Sequence, residues 1–139
     1  MNTPSYDIKE IWEANTESSG FDDLIFSGAN MNVVIGKEPS SPINCVTIFD
    51  TPGYAPDLGL VTQGYERPSV QIRVRNKKYT DGWAIIERIK IALHGLSQET
   101  VNATLYSVIY CSSGPALLDW DDNGNCRIII NFDLQRRSA

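Results

Sequence analysis

Apolar and polar positions alternate most clearly at residues 70–75. There Val70, Ile72 and Val74 interleave with Gln71, Arg73 and Arg75. A period of two is the mark of a half-buried strand. After Asn76, Lys77 and Lys78 turn the chain, the period lengthens. Ile85, Ile86, Ile89, Ala92 and Leu93 then share one stripe at about 100° per residue. This predicts a helix from Gly82 or Trp83 to His94, capped by Thr80 or Asp81, with Gly95 in a left-handed position just past its end. Residues 68–95 thus form a strand and a helix, each with one apolar face, and the other segments are expected to gather around them.

The remaining segments are shorter. Residues 5–14 put Ile8, Ile11 and Trp12 on one side of a helix, with Asp7 in its first turn and Ser5 as candidate cap. So short a helix is marginal alone and must dock. Residues 32–36 and 44–49 read as strands separated by a loop containing Pro39 and Pro42. In the second, Val46 and Ile48 face one way and Cys45, Thr47 and Phe49 the other, so cover on both sides is expected. Residues 50–67 carry Pro52, Gly53, Pro56, Gly59 and Gly64 and show no period, which predicts an extended loop or hairpin arm. Connections longer than about 12–15 residues are usually functional or disordered. Tyr54, Leu58, Leu60, Val61 and Tyr65 make this one too apolar for a plain linker. Either it reaches another molecule or it folds over its own core.

Beyond the central unit, residues 97–102 read as a link and 104–111 as a strand. Leu105, Ser107, Ile109 and Cys111 take one face of it, and Thr104, Tyr106, Val108 and Tyr110 the other. Residues 112–120 read as a loop. Asn123-Gly124 signals a type I′ turn before a last strand, 126–134, whose Ile128, Ile130, Phe132 and Leu134 point inward. The reading is α+β: a small mixed, mainly antiparallel sheet packed against one main helix and a short N-terminal helix. A single domain is expected over 1–139, with 1–20 as N-terminal helix and linker, 50–67 as arm, and 135–139 as a mobile tail.

Composition narrows the function. The chain has 139 residues, is 42% hydrophobic and 21% charged, and carries a formal net charge of −5. These values suit one globular domain and argue against general affinity for nucleic acid. Arg73, Arg75, Lys77 and Lys78 place four positive charges in six residues. They read as a site for an anionic partner or as the solvated face of a strand and its turn, without the aromatic interleaving of a single-strand-binding platform. No apolar run approaches the roughly 18 residues of a membrane span. The start has neither basic n-region nor apolar h-region, so no secretory signal is expected.

Cys45, Cys111 and Cys126 are widely spaced with no CxxC pair and read as small buried or half-buried thiols rather than ligands or nucleophiles. The single His94 sits in the last helical turn, where a protonated ring would favour the helix dipole. A Cys–His pair lacks a third, orienting group. Asp119, Asp121, Asn123 and Gly124 match half of a calcium loop, but the twelfth position, which should be Glu, is Ile130, so a tight turn is the better reading. Nucleotide, metalloprotease and hydrolase motifs do not occur. Neither enzyme activity, cofactor nor metal is expected.

One helical residue suggests a contact. Ile91, flanked by Trp83 and Ala84, lies off the main apolar stripe: a lone exposed residue, or part of a subunit interface. The order of pieces then resembles the minor capsid or tail terminator proteins of tailed bacteriophages. The pieces are the proline loop before an apolar strand, the Asp50-Thr51-Pro52-Gly53 turn, the PSVQIRVR strand, the Tyr79-to-His94 helix ending Leu93-His94-Gly95, and an Asn-Gly turn before a final I-x-I-x-F strand. The resemblance covers about residues 30–134. It implies a structural virion protein in the tail or neck, assembled in the host cytoplasm as a homo-oligomeric ring, typically a hexamer. Such a ring caps the tail tube, ends its polymerisation and meets head–tail connector proteins. DNA passes through without specific binding, and no membrane is involved. Tyr54, Leu58, Leu60, Tyr65, Arg73, Arg75, Trp83 and Ile91 are the candidate contacts to a neighbouring subunit or the tube. Rival readings are a head-completion or connector adaptor, a small nucleic-acid-binding module using Lys77 and Lys78, and a small enzyme.

Overall fold

The computed structural model describes residues 1–15, 24–56 and 64–139. Its elements are α1 (Pro4–Ala14), β1 (Val33–Ile35), β2 (Cys45–Tyr54), β3 (Arg67–Asn76), α2 (Tyr79–Leu93), β4 (Leu96–Val101), β5 (Thr104–Trp120) and β6 (Cys126–Ser138). All six strands form one sheet in the order β1-β2-β3-β6-β5-β4. Only β1–β2 is parallel. Both helices lie on one face, giving the mixed, mainly antiparallel α+β arrangement expected.

The alternation of β3 sets this register. Ile72 stands opposite Ile48 on one side and Ile130 on the other, and Val74 opposite Val46 and Ile128. A slip of one residue would turn the whole apolar set toward water. Ile86, Ile89 and Leu93 of α2 and Ile8, Ile11 and Trp12 of α1 close over that set, and Trp12 meets Phe26 edge-on at 4.9 Å. Gly82 lets the first turn of α2 lie directly on the sheet, since a Cβ there would stand 3.2 Å from both Asn76 Cβ and Ile128 Cδ1. Thr3, not Ser5, caps α1, with Pro4 in the first turn. Asp50 reaches across from β2 to accept from the Ser5 N–H at 2.8 Å and its hydroxyl at 2.7 Å.

Several expected loops are strand. β2 continues through Pro52 and Gly53 to Tyr54, with a register shift between Thr51 and Tyr54. Gly53 is required there, because a Cβ would collide with the Arg67 carbonyl and the Pro68 backbone. Leu58, Leu60 and Val61 of the expected arm, and residues 16–23, lie outside the described residues. α2 begins at Tyr79, three residues early, with Asn76 Oδ1 accepting from Lys78 N. Gly95 takes φ +86°, as expected. Residues 97–102 are not a link but most of β4. The β4–β5 turn is Asn102-Ala103, both with positive φ. Residues 112–120 are the second half of β5, paired with the start of β6. Residues 135–138, expected to be mobile, belong to β6, where Arg136 pairs with Tyr106. Finally, a register shift between Tyr106 and Val108 breaks the alternation in β5, so Tyr106 and Ile109 are both fully buried.

Candidate interaction surfaces

The helix-free face of the sheet is held by a buried ionic knot. Glu38 accepts from Arg75 Nη1 at 3.0 Å and from Arg127 Nε at 3.1 Å. Arg75 also donates to the carbonyls of Ile43 at 2.8 Å, Pro39 at 2.6 Å and Pro42 at 3.0 Å. This draws residues 38–43 toward the β2–β3 end of the sheet, where Cys45 and Thr47 are buried. Arg75, expected to face a neighbour, is therefore interior; its full set of partners repays the burial of its charge. Arg73 lies over the Phe49 ring, 4.7 Å from its centroid. Of the four basic residues, Lys77 and Lys78 are exposed, so the stretch does not make a continuous cationic surface.

Two exposed clusters occupy opposite ends of the sheet. At the C-terminal end of β2 and β6, Tyr54 is 67% exposed and pairs with Arg67. Tyr110 donates to Asp133 Oδ2 at 3.4 Å, and Ser69 donates to Asp133 Oδ1 at 2.6 Å. Desolvation, then the Asp133 carboxylate, push the Tyr110 hydroxyl above its ordinary pKa. Just beyond, the Arg137 guanidinium sits 5.9 Å from the Tyr65 ring centroid.

At the other end, Tyr79 stacks on Trp83 at 5.9 Å and on Trp120 at 6.3 Å. Trp120 is 51% exposed, and Leu117 and Leu118 of the same strand are also exposed. Beside Trp120 in the chain, Asp119 and Asp121 hold partners of their own. Asp119 is bonded to Arg127 at 3.2 Å. Asp121 accepts from the backbone N–H groups of Asn125 and Asn123 and from Asn125 Nδ2, which holds its carboxyl below the usual range. Gly124 has φ +79° while Asn123 does not have positive φ, so the hairpin turn is not the expected type I′.

The groups with chemical potential are committed to structure. Asp7 is fully buried and accepts from Tyr106 Oη at 2.7 Å and Asn102 Nδ2 at 3.0 Å, with Arg136 Nη1 at 3.8 Å. Burial, then the bond to Asp7, push the Tyr106 phenol well up. This network joins α1, the β4–β5 turn and β6. His94 Nδ1 accepts from the backbone N–H of Cys111 at 2.9 Å, which ties the end of α2 to β5. The Cys111 thiol donates to Ser113 O and is pushed up by burial, the opposite of an activated nucleophile. Among the described residues, no group of His, Cys, Asp and Glu is placed to hold a metal ion. A concavity of about 280 Å³ between residues 42–46 and α2 is lined by Pro42, Asn44, Asn76 and Ile85. Its one titratable group is the Cys45 thiol, which burial also raises.

The structure does not bring the expected contact residues together. Tyr54 and Tyr65 share one end, Trp83 belongs to the ladder at the other and is half-buried against the core, and Ile91 stands apart, 78% exposed. Leu58 and Leu60 are outside the described residues. The sequence reading did not single out the exposed Leu117, Leu118 and Trp120, although the run Ala116-Leu117-Leu118-Asp119-Trp120 is more apolar than a loop warrants.

No curated protein matches the chain. Among solved structures, a chain from the virion of a native gene transfer agent (GTA) particle has this fold. The TM-score is 0.68 and the identity 12%, over 98% of this chain and 96% of that one. The family model described as bacteriophage tail terminator protein matches residues 14–136, from the end of α1 through nearly all of β6. The chain belongs to the bacteriophage tail terminator protein family.

Proposed function

We propose that the chain is a structural virion subunit that ends the tail. Copies of it, six by expectation, form a ring on the last turn of the tail tube, stop tube polymerisation and present a face to the head–tail connector proteins. Family membership over residues 14–136 carries this reading. The side-chain chemistry is consistent with it, since the buried Asp7, Tyr106 and Arg136 are spent on docking α1 rather than on a substrate. A net charge of −5, with Arg75 neutralised by Glu38, suits a channel that passes DNA without holding its phosphates. Tyr54, Leu58, Leu60, Tyr65, Arg73, Trp83 and Ile91 remain the proposed contacts; Arg75 does not.

The test is particle mass in solution with negative-stain images, followed by addition to polymerising tail tube protein. An open-centred ring that halts tube growth is the expected result. A monomer that leaves tube length unchanged would refute it. If the arm is a subunit contact, Leu58→Ser with Leu60→Ser should weaken assembly while leaving the fold intact. An unchanged particle mass would count against the arm as a contact.

A further inference from the structure

We propose that Met31 is an oxidation site for peroxide, and that the Lys9 ammonium holds the resulting sulfoxide, so that oxidation leaves α1 docked. Oxidation of a packed methionine ordinarily loosens a fold, because an apolar side chain becomes polar. Here a donor already waits at the sulfur.

The two side chains are chemically mismatched as they stand. Lys9 Nζ donates to Met31 Sδ at 3.2 Å, and Met31 is its one hydrogen-bond partner among the described residues. An ammonium is a strong donor and a thioether a weak acceptor. Partial burial lowers the Lys9 pKa, with the Glu13 carboxylate pulling the other way. The charged amine is thus short of good acceptors, and a sulfoxide oxygen is one.

A closed loop delivers Met31 to this place. The Ile25 N–H donates to Asn32 Oδ1 at 2.7 Å, the Asn32 N–H to the Ile25 carbonyl at 2.9 Å, and the Met31 N–H to the Gly28 carbonyl at 3.3 Å. Phe26 of the same loop meets Trp12 of α1 edge-on. The loop therefore touches α1 twice, through that aromatic pair in the core and through Lys9 and Met31, both half-buried, nearer the surface. A concavity of about 200 Å³ beside Tyr6, Glu13 and Phe26 opens onto Lys9, ample for a molecule the size of peroxide.

The step balances with hydrogen peroxide as oxidant. A sulfur lone pair attacks one peroxide oxygen, the O–O bond breaks and an S–O bond forms. The proton on the transferred oxygen ends on the departing hydroxide, which leaves as water. Sulfur loses two electrons and peroxide gains them. The flexible four-carbon stem of Lys9 lets Nζ draw back to admit the new oxygen. The thiols compete poorly, since burial pushes Cys45, Cys111 and Cys126 up and leaves little thiolate. The other methionine, Met1, is exposed and serves as an internal standard.

The experiment treats the full-length chain with hydrogen peroxide, locates the added oxygen by peptide mass spectrometry and compares melting before and after. Met31 should gain one oxygen while the wild-type melting temperature stays within about 1 °C or rises. Lys9→Leu, which removes the donor, should lose about 2–4 °C on the same treatment, and Lys9→Arg, which keeps one, should behave as wild type. Met31→Leu should show no shift, which excludes Met1 and the thiols as its source. Melts of the untreated variants show that each folds before oxidation. A wild type that loses as much as Lys9→Leu, a shift that persists in Met31→Leu, or a Met31 left intact when Met1 is fully oxidised would overturn the proposal.

Discussion

At the residue scale the most consequential group is Arg136. Its guanidinium donates to Glu66 at 3.1 Å, the Asn2 carbonyl at 2.9 Å and the Tyr106 hydroxyl at 3.3 Å, and lies 3.8 Å from the Asp7 carboxylate. Removing one partner of a buried pair leaves the other charge unmatched, at a cost of about 3–5 kcal/mol. Arg136→Met keeps the stem and loses the charge. It should lower stability by about 3 kcal/mol, read as a lower urea midpoint at unchanged slope. Replacing both Arg136 and Asp7 by Met and Leu should cost less than Arg136→Met alone. Asp121 gives a second residue-scale test, one of pH. Backbone and side-chain N–H groups of its turn depress its pKa. Its contribution is therefore present above its unfolded value of about 4 and is lost as pH falls through the lower folded value. The stability gap between wild type and Asp121→Ala should be constant from pH 7 to about pH 5 and shrink below pH 4. A gap that persists at pH 2 would show that the carboxylate is not what holds the turn.

At the element scale, the turn between β4 and β5 carries strain. Ala103 has φ +57°, left-handed backbone that disfavours a Cβ by about 1–2 kcal/mol. Glycine there removes the clash but adds about 0.4–1 kcal/mol of unfolded-state freedom. Ala103→Gly should therefore stabilise by about 0.5–1 kcal/mol, seen as a rise in melting temperature. The same turn shows why β4 escaped the sequence reading. Asn-Ala is not a hairpin signal on its own, and Asn102 is held by tertiary bonds to Asp7 and Glu10 that no local pattern contains.

What was legible were elements whose own period decides their burial: β3, α2 and the inward face of β6. Strands completed by a bulge were not. Pro52-Gly53 and Gly114-Pro115 look like loop chemistry, and they are strand because a partner strand tolerates the irregularity. The last residues read as a tail because Gln135, Arg136 and Arg137 are polar, yet Arg136 faces inward to Asp7. The candidate contacts fared similarly. Ile91 is exposed as a helical period predicts, whereas Arg75 is interior because Glu38 and three carbonyls reach it from a distant loop.

At the scale of the whole molecule, assembly should depend little on salt. Among the described residues, Tyr54, Ile91, Leu117, Leu118 and Trp120 are large apolar side chains left exposed. Arg75, Arg127 and Arg136, by contrast, are taken up within the chain by Glu38, Asp119, Asp7 and Glu66. Exposed ion pairs contribute about 0.2–1 kcal/mol each, and they lose most of that as the Debye length falls from about 10 Å at 0.1 M salt to about 3 Å at 1 M. Burial of apolar area does not depend on screening. If copies meet through apolar surface, association measured by sedimentation should change less than about threefold between 0.1 M and 1 M salt. A loss of about tenfold or more would mean that charges across the interface hold the copies together.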